Sequence, residues 1–288
     1  MPADPSIDDL LQKARVRLAA APFAPSTREA ALLLGHVLGL GEAQVLARGD
    51  RPVAPAERQR FLELLERRLG GEPVAYLFGE REFYGRSFAV DRRVLIPRPE
   101  TELLVAAALA ADLPAAPRIL DLGTGSGCLA VTLALELPAA RVVASDRSPG
   151  ALAVAAGNVR RWEVGDRVRP VAADLFAGLD VSSFDLVVSN PPYVDPDDAP
   201  GLSPEVVDFE PPVALFAGDR GEAVIARILS GAADLRRGAL LLLEIGAGQL
   251  PRLERRLAAS ASASALQSVG SWNDYSGIPR VLKLVRRP

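Results

Sequence analysis

The first seventy residues of the chain have the hydrophobic periodicity of amphipathic helices. Ser6 with Asp9, and Ser26 with Glu29, have the spacing of a capping box, in which side chains accept from backbone N–H groups at the start of a helix. Runs rich in leucine and alanine follow both boxes, and Pro55 begins a third such run. The pattern therefore predicts at least three helices, in a module that covers residues 1–75.

Between residues 76 and 98 the pattern changes to alternating aromatic and polar residues. The alternation surrounds Gly85 in EFYGRSFAV, which is typical of two short strands joined by a tight turn. The prolines of IPRPE then restrict the backbone before a helix that is predicted over about Glu100 to Asp112. We interpret residues 76–98 as a β-hairpin connector between two domains.

After Pro117 short apolar strands alternate with helical segments. This alternation predicts an α/β domain over residues 99–288, because parallel strands are usually joined by a helix that covers the sheet. Helices are expected from about Cys128 to Leu137 and from about Pro149 to Trp162. Ligands of such sheets bind beyond the carboxyl ends of the strands. The predicted strands are RILDLG, RVVASD, VRPVAAD, FDLVVSN and ALLLLEIG.

The composition of the chain limits the classes of protein to which it can belong. Of the 288 residues 49% are hydrophobic and 24% are charged, which is typical of a globular protein. The longest apolar run, Leu103 to Ala111, is too short for a bilayer span and the first residues do not resemble a signal peptide, so we expect a cytoplasmic protein. The net charge of −3 gives no general attraction to nucleic acid or membranes. The sequence has one cysteine, Cys128, and one histidine, His36. It therefore cannot form an internal disulfide or a cysteine-cluster metal site, and most Ser–His catalysis is excluded.

A glycine-rich turn ends the first strand of the α/β domain and leads directly into a helix. Glycines let the backbone turn tightly and let a ligand approach the N–H groups of the loop. The second strand ends at Asp146, where an acidic side chain can accept hydrogen bonds from both hydroxyls of a ribose. Together they indicate a nucleoside-containing cofactor. The residues of the turn that we consider are Asp121, Gly123, Thr124, Gly125, Ser126 and Gly127.

The spacing of the turn separates two classes of enzyme. A dehydrogenase would favour G-x-G-x-x-G, whereas this chain has G-x-G-x-G with Asp121 two positions before the first glycine. In nucleoside-dependent methyltransferases such a loop and acidic position hold the amino-acid end of S-adenosylmethionine. The third strand ends at Asp174, which is expected to accept from the adenine amino group, and Leu175 to cover one face of the base. Taken alone, the loop is also compatible with simple helix–strand packing.

The fourth strand ends in Asn190-Pro191-Pro192-Tyr193, at the same predicted edge of the sheet. The prolines offer rigid carbonyl acceptors and no N–H groups, and the asparagine side chain has both an acceptor and donors. Such a site suits an amide or aromatic amine, whose nitrogen becomes nucleophilic when hydrogen bonds to fixed acceptors favour a pyramidal geometry. Asn190 Oδ1 and the Pro191 carbonyl are the predicted acceptors, and Tyr193 is expected to pack against the planar group. The alternative is a rigid turn without chemistry.

Together, the motifs of this chain resemble the HemK/PrmC family of protein-(glutamine-N5) methyltransferases, which modify the Gly-Gly-Gln glutamine of peptide chain release factors. The resemblance implies a Rossmann-like seven-stranded S-adenosylmethionine-dependent methyltransferase fold, with an antiparallel last strand near Arg280 to Val285. It also implies that Gly123 to Gly127, Asp146 and Asn190 bind the cofactor, that Asn190 to Tyr193 hold the glutamine, and that the helical module binds the release factor. The motifs are EPVAYLFGEREFYG, IPRPETE, DLGTGSG, SNPPY, FEP, LLLEIGAGQ and DYSGIPR.

Three other interpretations make different demands on the sequence. An amino methyltransferase acting on adenine or cytosine of DNA or RNA would need a basic face and a way to present an unpaired base, but the arginines are scattered. A degenerate nucleoside-binding module would be expected to lack Asn190 or the glycine loop, and a dehydrogenase would need a nicotinamide site. We therefore predict a release factor methyltransferase that uses S-adenosylmethionine and no metal, without membrane or direct nucleic-acid binding.

Overall fold

The computed structural model describes residues 4–21, 23, 28–259 and 265–287. Its contacts divide the chain into two units. The helical unit contains Met1–Gly79 together with Leu202–Phe209, and the sheet unit contains Glu80–Gly201 and Glu210–Pro288. The segment Leu202–Phe209 lies inside the predicted range 99–288, so this division differs from the domain bounds that the sequence suggests.

The helical unit is built around one apolar core. The capping box at its start is present: Ser6 Oγ accepts from the Asp9 N–H at 3.2 Å, and the Asp9 carboxylate accepts from the Ser6 N–H at 2.9 Å. The second predicted box depends on Ser26, which lies outside the described residues. Pro55 begins the third predicted helix, as expected for a residue without an N–H group. The helices are Ile7–Ala19, Glu29–Leu38, Glu42–Leu46, Pro55–Leu69, Val74–Phe78 and Pro204–Phe209.

A buried guanidinium group attaches the segment Leu202–Phe209 to the rest of the helical unit. Arg68 is 2% exposed and pairs with Glu29 Oε2 at 2.6 Å and with Glu205 Oε2 at 2.9 Å. Its Cζ also lies 4.0 Å from the centre of the Phe23 ring. A buried charge needs such partners because its transfer out of water is costly. Neither hydrophobic periodicity nor local spacing reveals a pairing between residues so far apart in the sequence.

The sheet unit contains a hairpin and a seven-stranded sheet. The hairpin pairs β1 (Glu80–Phe83) with β2 (Arg86–Ala89), as the alternating pattern predicts. Tyr84 and Gly85 both have positive φ in the turn between them, the geometry that suits tight hairpins. The strands of the large sheet are β3 (Arg118–Leu122), β4 (Arg141–Asp146), β5 (Val168–Ala172), β6 (Leu186–Ser189), β7 (Leu240–Glu244), β8 (Leu266–Asn273) and β9 (Pro279–Arg286).

The large sheet has the order β5-β4-β3-β6-β7-β9-β8. Strands β3 to β7 run parallel to one another. Strand β9 is antiparallel to both β7 and β8, which confirms the prediction for the last strand. Apolar clusters cover both faces, so the central strands are hydrophobic on both sides. The longer helices of this unit are Glu102–Leu109, Cys128–Glu136, Pro149–Arg161, Ala223–Gly231 and Leu250–Ala259.

Shorter segments complete the sheet unit. None of the helices in the described part of the chain is both long and apolar enough to cross a membrane. A left-handed turn at Gly218–Gly221 separates two of the helical segments, with Asp219 and Arg220 in positive-φ conformations. The remaining helical segments are the 3-10 turns Pro99–Thr101, Val181–Ser183, Pro196–Gly201 and Ala232–Asp234, and the short helix Pro212–Leu215.

Replacing Arg68 with methionine should destabilise the helical unit by about 3 to 5 kcal/mol, because the buried carboxylate of Glu29 would lose its ion pair with Arg68. The measurement is urea unfolding followed by circular dichroism. Arg17→Met is the control, since Arg17 pairs with Glu66 on the exposed surface of the same unit. Equal unfolding midpoints for the two variants would show that the buried cluster contributes no more than an exposed ion pair.

Candidate functional site

The carboxyl ends of four adjacent parallel strands, β5, β4, β3 and β6, lie at one edge of the sheet. Next to this edge is a cavity of about 280 Å³. Most of the predicted site residues line it together, as the strand order requires. Those that do so are Gly123, Thr124, Gly125, Ser126, Asp146, Asp174, Leu175, Asn190, Pro191 and Pro192, whereas Asp121, Gly127 and Tyr193 do not.

The glycine turn has a backbone that other residues would rarely adopt. Gly123, Gly125 and Gly127 have φ values of 71°, 55° and 80°. A Cβ atom at Gly127 would lie 3.1 Å from the Cβ of Ala155, so this glycine also permits close helix packing. Gly127 therefore packs against the helix that contains Ala155, while Gly123 and Gly125 border the cavity.

Asp146 lies at the end of β4, and its carboxylate orders the backbone around it. Oδ2 accepts from the Gly125 N–H at 3.0 Å, and Oδ1 accepts from the Ser148 N–H at 2.8 Å. A carboxylate has about four lone-pair positions, so each oxygen can accept a further hydrogen bond. Because Asp146 also lines the cavity, it can accept from hydroxyl groups of a ligand there.

Asp121 is completely buried behind the glycine turn. Its Oδ2 accepts from Thr124 Oγ1 at 2.6 Å, while Oδ1 has no hydrogen-bond partner within the described part of the chain. Burial raises the pKa of Asp121 to about 7; the bond from Thr124 opposes the shift and the charge of Asp146 adds to it. Asp121 therefore reaches the cavity wall through its hydrogen bond with Thr124.

The third predicted element, Asp174-Leu175, lines the same cavity as the glycine turn. Asp174 Oδ2 accepts from Arg227 Nη2 at 2.7 Å, and this bond holds the pKa of Asp174 below its usual range. Leu175 has φ 54°, an uncommon conformation for a branched residue, and it borders the cavity. Arg227 also lines the cavity, and no motif in the sequence marks it, because it lies on a separate helix.

The Asn190 side chain is held in one orientation at the cavity wall. Its Nδ2 donates to Thr101 Oγ1 at 2.9 Å, and no donor in the described residues bonds to its Oδ1. The oxygen thus remains able to accept from a ligand, as the sequence predicts. Thr101 was not among the predicted site residues, although it lies in the motif IPRPETE.

Tyr193 is fixed by contacts behind the cavity. Its hydroxyl donates to Glu244 Oε1 at 3.2 Å, and its carbonyl accepts from Gln249 Nε2 at 3.1 Å. At Gly221 a Cβ atom would lie only 2.0 Å from the Tyr193 carbonyl oxygen, so no other residue fits there. Burial, with the nearby charge of Glu244, raises the pKa of Tyr193, and the phenol stays neutral.

Glu244 is a buried acid at the end of β7 that sequence reasoning did not single out. It is 1% exposed, and its Oε2 has no hydrogen-bond partner among the described residues. Burial raises the pKa of Glu244 to about 7, whereas hydrogen bonds with Thr101 and Tyr193 lower it. The motif LLLEIGAGQ contained this residue and Gln249, but the pattern alone gave neither a role.

Two further motifs meet beside the cavity. The buried carboxylate of Glu210, from FEP, accepts from the Ile96 N–H at 3.0 Å and pairs with Arg98, both from IPRPETE. Arg98 borders the cavity. Cys128 also lies in the wall of the cavity. Burial raises the pKa of its thiol to about 12, so the thiol stays protonated. A nucleophilic role for this cysteine is therefore not supported.

Two parts of this chain match models of known protein families. Residues 9–79 match the model of the PrmC N-terminal domain, and residues 100–203 match the methyltransferase small domain. The catalytic domain of hMettl16, in complex with MAT2A 3'UTR hairpin 1, has a TM-score of 0.56 at 18% identity, over 83% of this chain and 86% of that chain. At that identity the likeness concerns the fold alone, and it confirms the predicted methyltransferase fold.

Two similar sequences carry the same name. The release factor glutamine methyltransferase of Bordetella pertussis is 46% identical over 88% of this chain and 92% of its own length. That of Cereibacter sphaeroides is 42% identical over 95% of this chain and 96% of its own length. The prediction of an S-adenosylmethionine-dependent methyltransferase is thereby confirmed. On these identities and coverages, the chain belongs to the release factor glutamine methyltransferase family.

Proposed function

We propose that this protein transfers a methyl group from S-adenosylmethionine to the side-chain amide nitrogen of the glutamine in the Gly-Gly-Gln motif of peptide chain release factors. One observation carries the proposal: Asn190, whose amide oxygen has no hydrogen-bond donor among the described residues, lines the same cavity as two prolines and the glycine turn. Family membership supports the identity of the substrate. Because release factors act in translation, the proposal also implies a cytoplasmic enzyme.

The residues around the cavity fit the cofactor. Asp146 is suited to the ribose hydroxyls because its oxygens retain accepting capacity beside two backbone bonds. The carboxyl group of Asp121 behind the turn suits the amino-acid end, together with those N–H groups of the turn that do not already donate to Ser145, Asp146 or Thr124. Leu175 provides an apolar surface for adenine, and Asp174 accepts from the adenine amino group only if it keeps an oxygen free from Arg227. The cofactor supplies an electrophilic methyl group on a sulfonium.

The acceptor side of the site consists of fixed oxygens. Asn190 Oδ1 and the Pro191 carbonyl accept from the two N–H bonds of the substrate amide, which favours a pyramidal nitrogen with its lone pair available. Tyr193, whose hydroxyl is held by Glu244, supports the turn that carries these acceptors. The same acceptors suit an exocyclic amino group of a base, so DNA and RNA are the necessary comparison substrates.

Residues 1–79 are proposed to bind the release factor. The match of residues 9–79 to the PrmC N-terminal domain supports this assignment. The segment Leu202–Phe209 belongs to the same unit and follows the Asn-Pro-Pro-Tyr turn in the chain. A substrate-binding role therefore extends in the proposal to that segment.

The substrate is tested by labelled methyl transfer to release factor, to its Gly-Gly-Glu variant, to DNA and to RNA under one set of conditions. We expect transfer only to the unmodified release factor, with mass mapping to the glutamine side chain, because a glutamate carboxylate has no N–H group. Comparable transfer to DNA or RNA would favour the nucleic-acid alternative. No transfer to release factor would contradict the proposed function.

Replacing Asp146 with alanine should weaken S-adenosylmethionine binding by about 1.5 to 3 kcal/mol, because charge-assisted hydrogen bonds to the ribose are lost. Asp146→Asn is the matched variant, and it should lose less because an amide oxygen remains. Calorimetry gives the dissociation constants of both variants, with NAD as a negative control. An unchanged constant for Asp146→Ala would place the ribose elsewhere.

Replacing Asn190 with alanine should reduce the rate of methyl transfer about 10²–10³-fold, the effect typical of losing one preorganised transition-state contact. Asn190→Asp should lie between the native protein and Asn190→Ala, because it keeps an acceptor but buries an added charge. Single-turnover transfer at saturating cofactor separates chemistry from binding. A native rate in Asn190→Ala would leave Asn190 only a turn residue.

A further inference from the structure

A chain of polar side chains runs from the cavity wall into the core of the sheet unit. Asn190 borders the cavity and donates from Nδ2 to Thr101 Oγ1 at 2.9 Å. Thr101 is 3% exposed, and its hydroxyl is close enough to the buried Glu244 to lower the pKa of that acid. Tyr193 donates to the same carboxyl at 3.2 Å. Glu244 thus lies behind both ends of the Asn-Pro-Pro-Tyr turn.

The orientation of the Asn190 amide decides what the site can bind. Its oxygen accepts hydrogen bonds and its nitrogen donates them, yet the two ends are nearly equal in size. Packing alone therefore does not select between them. With Oδ1 toward the cavity the site accepts from an NH₂ group, whereas a reversed amide would present donors to another donor.

Thr101 can transmit this choice because a hydroxyl has only one proton. When Oγ1 accepts from Asn190 Nδ2, the hydroxyl proton remains available for another acceptor. An ionised Glu244 has no proton to donate, so it can take part only as that acceptor. The direction of the whole chain then follows from the carboxylate at its inner end.

We propose that Glu244 is a positioning residue that orients the Asn190 amide through Thr101, so that the acceptor oxygen faces the substrate. The inference rests on the proposed function, since the substrate must carry an NH₂ group. The same carboxylate holds the Tyr193 hydroxyl. Its otherwise unbonded Oε2 provides room for a second donor.

The proposal predicts that the rate of methyl transfer depends on the protonation state of Glu244. Burial raises its pKa to about 7; Glu100 opposes ionisation, while Thr101, Tyr193 and Arg280 favour it. The charge of Arg98 also acts to lower the pKa of the Tyr193 hydroxyl. A protonated Glu244 can donate to Thr101, which releases the Thr101 proton toward a reversed amide. Methyl transfer should therefore fall as the pH decreases through about 7.

The decisive variant is Glu244→Gln, which keeps the shape but provides donors at every pH. Single-turnover methyl transfer to release factor at saturating cofactor should fall at least about tenfold at pH 8, a smaller loss than removal of the acceptor itself. The decrease of rate below pH 7 that is expected for the native protein should be absent in this variant. A native rate with a native pH profile would overturn the proposal.

Substitutions at Thr101 test the link between the two ends. Thr101→Val removes the hydroxyl at nearly constant volume and should also reduce the rate of methyl transfer at least about tenfold. Thr101→Ser keeps the hydroxyl and should retain most of that rate. The double variant Glu244→Gln with Thr101→Val should lose no more than the larger single loss, because both interrupt one chain. Additive losses would show that the two residues act separately.

Thr132→Val is the matched control for loss of a buried hydroxyl. Thr132 lies in the helix Cys128–Glu136, is 0% exposed, and its Oγ1 has no hydrogen-bond partner among the described residues. Thr132 does not line the cavity, so the Thr132→Val variant should transfer methyl groups at the native rate. A loss equal to that of Thr101→Val would attribute the effect to general packing.

Folding and function are checked separately. Because burial raises the pKa of Glu244 above that of an unfolded glutamate, ionisation at pH 8 opposes folding, and the stability contribution is largest at low pH. Glu244→Gln should therefore melt at an equal or higher temperature at pH 8. The native protein reports on the proposed function: if it fails to methylate release factor, that function is wrong whatever the variants do.

Discussion

Parallel pairing of the central strands is the constraint on which the rest of the structure depends. Because β5, β4, β3 and β6 run in one direction, their carboxyl ends meet at one edge of the sheet. The glycine turn, Asp146, Asp174 and Asn190 each follow one of these ends, so a ladder of backbone hydrogen bonds brings them to one cavity. The antiparallel β9 pairs beyond β7 and leaves this edge unchanged.

Buried acids support the cavity from behind. Asp121 lies beneath the glycine turn and Glu244 lies beneath the Asn-Pro-Pro-Tyr turn, and burial raises the pKa of each to about 7. Asp121 accepts a hydrogen bond from Thr124, and the hydroxyl of Thr101 lowers the pKa of Glu244. Both threonines line the cavity. In both halves of the site, a buried carboxyl group that costs folding free energy when it is ionised lies behind the wall of the cavity.

Much of the site could be predicted because its chemistry is local in sequence. Asp146 ends one strand that apolar patterning reveals, and Asn190 directly follows another. The glycines of the turn are needed for its backbone. The same reasoning could not foresee that Asp121 and Tyr193 do not border the cavity, since both belong to motifs whose neighbours do. Arg227 and its bond to Asp174 had no local signal, because the two lie on different elements.

The sequence by itself determined the order of helices and strands, the family, and the residue types at the strand ends, because these depend on periodicity and spacing along the chain. Tertiary structure alone decided which polar atoms meet. Thr101 lies beside Asn190, Glu244 beside Tyr193, and Arg68 between Glu29 and Glu205, all across long sequence separations. Hydrogen bonds depend on distances of a few ångströms in space, which the linear pattern of hydrophobic and polar residues does not record.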